Sequence, residues 1–385
     1  MSEHAIRLEK LRGKLAGLGL DGALITHFTD IYYFAGTRQN GVLWVPVSGQ
    51  AVLLVRKSLI KAQAESSGVE VRPFAGKTAF LEAVPAGPLK AGLVFNGLSA
   101  QLFKFYSGIM KGAEFSDISA AVRDLRAVKS AAELELARES GRRLGSVFSS
   151  APSFLKPGMN ELEAAAAFEY HSRLAGNEGC RMRAPIGENF IGVAVAGGSG
   201  AIPGYFDGAV TGPGLSSASP VGASLARVGR DAPLFLDYTF MHAGYITDMT
   251  RLFVFGRLPE KLAKAYAVSV EIHDEISAGL KAGAIGEELY LKALSMAEKA
   301  GLAENFMGVT GEQAKFVGHG VGLELDEMPV LCMGAKAPLE AGSVVALEPK
   351  FIFPGLGAVG VENTFIVGAS GPENITGKDT GIVHL

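Results

Sequence analysis

The sequence predicts an α/β (α+β) protein of two domains, a small one over residues 1–122 and a larger one over residues 123–385. Three observations carry that expectation. The chain has 385 residues, 48% of them hydrophobic, which suffices for two domains with substantial cores. Strand-like and helix-like segments alternate over the first 122 residues and again from residue 232 to the end. Between these stretches, residues 124–129 form a junction, and residues 131–150 read as a long charged helix.

In the first domain, Ile6, Leu8, Leu11, Leu15 and Leu18 recur at helical spacing, and Gly19 can end that helix. Residues 21–26 read as a buried strand. Residues 41–47 and 50–55 read as two more, joined by a Ser48-Gly49 turn, and residues 58–66 return to helix. Trp44 lies in an apolar strand and is most simply core. No G-x-G-x-x-G follows the first strand, which argues against a dinucleotide site. In the second domain, Asn160 precedes Glu163 by three residues, the pattern of a capping box opening a helix over residues 161–175. The only histidine near it, His171, reads as a satisfied helix residue. Residues 197–222 are rich in Gly, Ser and Pro and too long to be a mere connector.

Bulk properties exclude several classes. Net charge is -3 with both signs interspersed, so neither a nucleic-acid surface nor a polybasic membrane patch is expected. Cys180 and Cys332 are too few for a disulfide framework. No apolar run reaches membrane-spanning length, and the N-terminus lacks the apolar segment of a signal peptide. A soluble cytoplasmic protein is the expectation.

Two segments place acids in otherwise apolar strands. Leu234-Phe-Leu-Asp237 is followed eleven residues later by Asp248, and a hairpin centred on His242-Ala243 would set the two directly opposite. A second hairpin centred on Gly355 would set Glu348 opposite Glu362. Directly opposed side chains have Cβ atoms roughly 4.5–5.5 Å apart. Like charges that close are destabilising unless a cation lies between them or one takes a proton. His319, flanked by Gly318 and Gly320, is the candidate imidazole. Four carboxylates and one imidazole suit two divalent ions, with Mn, Fe, Co or Zn all tolerated.

These motifs give the chain a family resemblance over essentially its whole length. Asp237-x10-Asp248-Met-Thr-Arg251, Gly318-His-Gly-Val-Gly-Leu323 with Asp326-Glu327-Met-Pro329, Leu347-Glu348-Pro349 and Val361-Glu362-Asn-Thr364 resemble the M24-type metallopeptidases of the pita-bread fold. That group includes aminopeptidase P, prolidase, methionine aminopeptidase and creatinase. Residues 1–122 are similar to the creatinase-type N-terminal domain, with Asp30-Ile-Tyr-Tyr33-Phe-Ala-Gly36 matching the motif that leads into a strand. The resemblance implies a metal bound by Asp237, bridging ligation by Asp248 and Glu362, and a second metal completed by His319 and Glu348. It implies Glu348 as general base and a homodimer. Arg251, just after Asp248, is expected either to hydrogen-bond a metal-binding carboxylate or to lie at the surface.

The chain departs from that pattern at two places. Family peptidases carry a histidine seven residues after the metal histidine, where this chain has Asp326, and another before the first metal aspartate, where none occurs after His171. Tyr205 is the candidate replacement donor to substrate. The expected function is a dinuclear-metal hydrolase acting on a small peptide as an Xaa-Pro dipeptidase or aminopeptidase. The alternatives are a lyase or small-molecule hydrolase using Asp326 as base, or a metal-binding homologue without catalysis.

Overall fold

The computed structural model describes residues 2–85, 87–180 and 192–385. Among these, contacts divide the chain into two units after Arg126.

The first unit is built on a six-stranded mixed sheet. Its elements are α1 (Glu3–Gly17), β1 (Gly22–Ile25), α2 (Phe28–Ala35), β2 (Gly41–Pro46), β3 (Val52–Val55), α3 (Leu59–Glu65), β4 (Glu70–Pro73), α4 (Lys77–Ala83), β5 (Lys90–Leu93), α5 (Ala100–Ile109), β6 (Glu114–Asp117) and α6 (Ser119–Ala127). The strand order is β4-β3-β2-β1-β5-β6, and Trp44 is core, as expected. One element differs. The segment Asp30–Gly36, expected to lead into a strand, lies in helix α2 and its left-handed cap Gly36. Asp30 explains the choice, because inside the helix its buried carboxylate meets the Arg126 guanidinium at 2.9 Å.

The second unit begins with α7 (Ala131–Phe154) and α8 (Glu161–Leu174), each opened by a full capping box, at Ser130 and Asn160. His171 lies in α8, where its ring stacks on Phe154 at the end of α7, in keeping with its reading as a helix residue. Then come β7 (Gly192–Ala196), β8 (Pro233–His242), β9 (Tyr245–Val254), α9 (Glu260–Ala278), α10 (Gly286–Lys299), β10 (Phe316–Gly320), β11 (Glu327–Cys332), β12 (Val344–Leu347), β13 (Lys350–Phe353), β14 (Gly357–Gly360), β15 (Asn363–Val367), β16 (Pro372–Asn374) and β17 (Val383–His384). They form a four-stranded sheet β17-β9-β8-β7, a five-stranded sheet β11-β10-β12-β15-β16, and the pair β13-β14.

Strand alternation divides the β8-β9 hairpin into two faces. Leu234, Leu236, Tyr238 and Phe240 pack with Leu144 and Phe148 of α7 and Phe168 of α8. Phe235 and, on β9, Leu252 and Val254 join a second core with α9, α10 and Phe351. Asp237 and Asp248 share the parity of this second set, so both acids belong to the inner face. The long segment after β7 is tethered by Glu161, whose fully buried carboxylate accepts bonds from Ala196 N, Ser224 N and Ser224 Oγ at 2.6–2.9 Å.

Candidate metal centre

The first hairpin does not have the expected register. His242 pairs with Tyr245, so the turn is Ala243-Gly244, both at positive φ (46° and 84°). Asp237 therefore faces Thr250, and Asp248 faces Thr239. The expected direct opposition of the two acids is replaced by a diagonal relation, typically some ~7–8 Å rather than ~5 Å. The slip is two partners, an even number, so both side chains keep the same face. In the second hairpin, Leu347 pairs with Asn363 and Lys350 with Gly360. The two ladders share one register, which puts Glu348 across from Glu362 in the interval between them. Glu362 also bridges to Thr250, and this joins the two hairpins at the site.

His319 lies on β10, bonded on one side to β12 and on the other to β11. Its Nδ1–H donates to the Leu325 carbonyl at 3.1 Å, which leaves the Nε2 lone pair facing the carboxylates. Nε2 lies 3.4 Å from Glu348 Oε1. Asp248, His319 and Glu362 each present a ligand atom, all within 4.8 Å of one another, and all three residues are buried. Glu362 Oε1 is buried with no hydrogen-bond partner among the described residues, whereas Oε2 accepts from Thr250 Oγ1 at 2.7 Å. An orphaned buried carboxylate oxygen is costly, and a cation satisfies it. The donor set fits a divalent ion.

The electrostatics agree with that fit. Burial, then the charges of Glu362 and Asp237, raise the Asp248 carboxyl well above the usual carboxylate range. Burial, with Asp237 and Glu348 overcoming the pull of Lys350, pushes Glu362 up to about 8. Burial opposes a charged His319, but Asp326, Glu348 and Glu362 outweigh it and raise its pKa. A group of acids this reluctant to ionise together is short of positive charge.

The other expected residues are placed less uniformly. Asp326 is partly exposed, with Oδ1 3.8 Å from His319 Nδ1. It lines a pocket of ≈ 60 Å³ with Asp237, Asp248, His319 and Glu348, which Phe206 and Asp207 also line. Tyr205 is 60% exposed, stands edge-on to Phe206, and is not among the described residues of that wall. Arg251 is buried, but among the described residues its hydrogen bonds reach no metal-site carboxylate. It donates to the carbonyls of Thr250 and Glu362 and to the Asn363 side chain, at 2.7–2.8 Å. The reason is parity: one residue from Thr250, its side chain leaves the strand on the opposite face, and it braces the backbone that carries Glu362.

Sequence reasoning missed Lys350. Its Nζ sits 2.8 Å from Asp237 Oδ2, 2.6 Å from Glu348 Oε2 and 3.2 Å from Glu362 Oε2. Burial works against that ammonium, but the three carboxylates outweigh it and hold its pKa well above the ordinary lysine value. The signal was present, since Glu348 and Lys350 are two apart in an extended segment and so share a face.

Four carboxylates and one imidazole on facing strands form a donor set that suits divalent metal ions. The family models agree. The description "Metallopeptidase family M24" matches residues 135–369, and "Creatinase/Prolidase N-terminal domain" matches residues 7–128. The chain belongs to metallopeptidase family M24. A Bacillus subtilis protein described as an uncharacterized peptidase is 26% identical over 386 residues, covering 99% of this chain and 100% of that protein. An Xaa-Pro dipeptidase of Pyrococcus furiosus is 26% identical over 379 residues, covering 96% and 97%. The solved structure of an Xaa-Pro dipeptidase from Bacillus anthracis superposes with a TM-score of 0.85 at 25% identity, covering 99% of this chain and all of that one.

Proposed function

We propose that this protein is a metal-dependent hydrolase of small peptides, with Xaa-Pro dipeptides as substrates. The observation that carries the reading is the buried trio Asp248, His319 and Glu362, whose ligand atoms lie within 4.8 Å of one another, with Glu362 Oε1 lacking a hydrogen-bond partner among the described residues. The dipeptidase names of relatives that match nearly the full chain supply the substrate class.

A divalent ion there would polarise the scissile carbonyl and lower the pKa of an attacking water. The chain's own residues do the rest. Glu348 would accept the water's proton and pass it to the leaving amine. His319, fixed by its bond to the Leu325 carbonyl, keeps Nε2 aimed inward. Thr250 and Arg251 hold Glu362, one through its carboxylate and the other through its backbone. The choice among Mn, Fe, Co and Zn stays open to the same donor chemistry. The homodimer implied by the family resemblance and the cytoplasmic location expected from the sequence belong to this proposal; sedimentation equilibrium and cell fractionation test them.

The test is hydrolysis of a panel of Xaa-Pro and non-prolyl dipeptides by metal-loaded protein, with a chelated control. Release of proline that stops on chelation is expected, and a loaded protein that leaves every dipeptide uncut overturns the reading. Asp326, with its partly exposed carboxylate in the pocket, favours one rival: a lyase using it as base on an acidic small molecule. Asp326→His separates the two. A peptidase gains Xaa-Pro activity from a histidine there, whereas a lyase loses its activity.

A further inference from the structure

The centre contains a cation of its own. An ammonium has three N–H donors, and Lys350 directs its Nζ at three carboxylates, those of Asp237, Glu348 and Glu362, within 2.6–3.2 Å. Two features show that the strands are built around this side chain. Gly360 pairs with Lys350 across the β13-β14 ladder, and a Cβ at Gly360 would lie 2.6 Å from Lys350 Cγ and 2.9 Å from its Cα. A residue without a side chain is what lets the lysine stem pass. The Phe235 ring lies nearby, its centroid 5.7 Å from Nζ. The whole side chain is 2% exposed, so releasing the ammonium to solvent requires opening the centre.

We infer that the Lys350 ammonium is a resident cation that replaces one of two metal ions, so that the centre binds at most one divalent ion. The position left for that ion is the one among Asp248, His319 and Glu362. The ammonium occupies the other, between Asp237 and Glu362, where the family resemblance implies a metal. A divalent ion bound there would sit about 2.0–2.2 Å from carboxylate oxygens. Those oxygens already accept from Nζ, and the two positive charges would repel across the same short space. The charge balance points the same way. Four ionised carboxylates carry four negative charges, and one ammonium with one divalent ion leaves a single negative charge, close to neutral without a second ion.

This inference deepens the hydrolase reading and rests on its donor set, but its test is separate. The chelator-stripped, full-length protein is titrated with Mn(II) by calorimetry, and electron paramagnetic resonance spectra are recorded along the titration. The wild type is expected to take up at most one equivalent and to show only uncoupled Mn(II). Lys350→Ala is expected to gain one equivalent and an exchange-coupled spectrum, while Lys350→Arg, which keeps the charge, stays at the wild-type count. Two equivalents or a coupled spectrum in the wild type overturn the inference whether or not the variants fold. An unchanged count in a folded Lys350→Ala protein overturns it too. The hydrolase reading fails by a different result, the absence of dipeptide cleavage by loaded wild type.

Discussion

The two carboxylate hairpins look alike in sequence and serve the centre differently. In β12–β15 the acids lie across from each other, and Glu362 is shared by the ion pocket, by Lys350 and by Thr250. In β8–β9 the acids are diagonal. Asp248 joins the ion pocket, whereas Asp237 accepts a hydrogen bond from Lys350. The difference comes from the turns. A two-residue turn at Ala243-Gly244 fixes the first register two partners away from direct opposition, while Gly355 at φ 76° lets the second close symmetrically. Equivalent acids in similar hairpins thus acquire different work from the residues that turn the chain.

The largest effect that sharpens this contrast is expected from Glu362→Gln. A metal contributes several kcal/mol of charge stabilisation, so weakening a shared ligand should lower kcat/KM by about 10³-fold or more. Asp237→Asn, which touches chiefly the ammonium, should cost at least tenfold less, and equal losses in the two variants would break the comparison. Next, Thr250→Val removes the 2.7 Å bond to Glu362 Oε2. It is expected to cost about 10–100-fold in metal affinity or activity, as groups that orient ligands do. Calorimetry and steady-state kinetics on the same preparation check it.

A smaller effect belongs to the turn. Gly355 has open space around it but a left-handed φ, so Gly355→Ala is expected to lower stability by about 1–2 kcal/mol and leave kcat unchanged. Chemical denaturation reads the loss. The smallest effect is in pH. Glu362 in the metal-free protein titrates near 8 against an ordinary value of 4.5, so the folded state holds a proton there that the unfolded state has lost. Stability of the metal-free protein should therefore fall as pH rises from about 4.5 to about 8. Thermal unfolding with and without Mn(II) at pH 6 and pH 8 reads the fall, and bound metal should reduce it.

Much of this was legible in the sequence because burial alternates with period two along strands. That period puts Asp237, Asp248, Glu348 and Glu362 on defined faces without any tertiary information. The flanking glycines likewise singled out His319. The register of the first hairpin was not legible, because Ala243 adopts a positive φ that its residue type does not advertise. The helix over Phe28–Ala35 was hidden for a related reason, since a long-range partner, Arg126, rewards burying Asp30. Tyr205 is the expected donor to substrate from the sequence; among the described residues, its neighbours Phe206 and Asp207 line the pocket. Lys350 was legible in principle from its spacing to Glu348, yet a lysine after Glu-Pro reads as a surface residue until Gly360 is seen opposite it.

The central claim is that one divalent ion and one ammonium share this centre. Crystals grown with Mn(II) and measured on both sides of its absorption edge test it most directly. One anomalous peak is predicted among Asp248, His319 and Glu362, with Lys350 Nζ still among Asp237, Glu348 and Glu362. Two peaks with Lys350 displaced, or no peak at that trio, would contradict it.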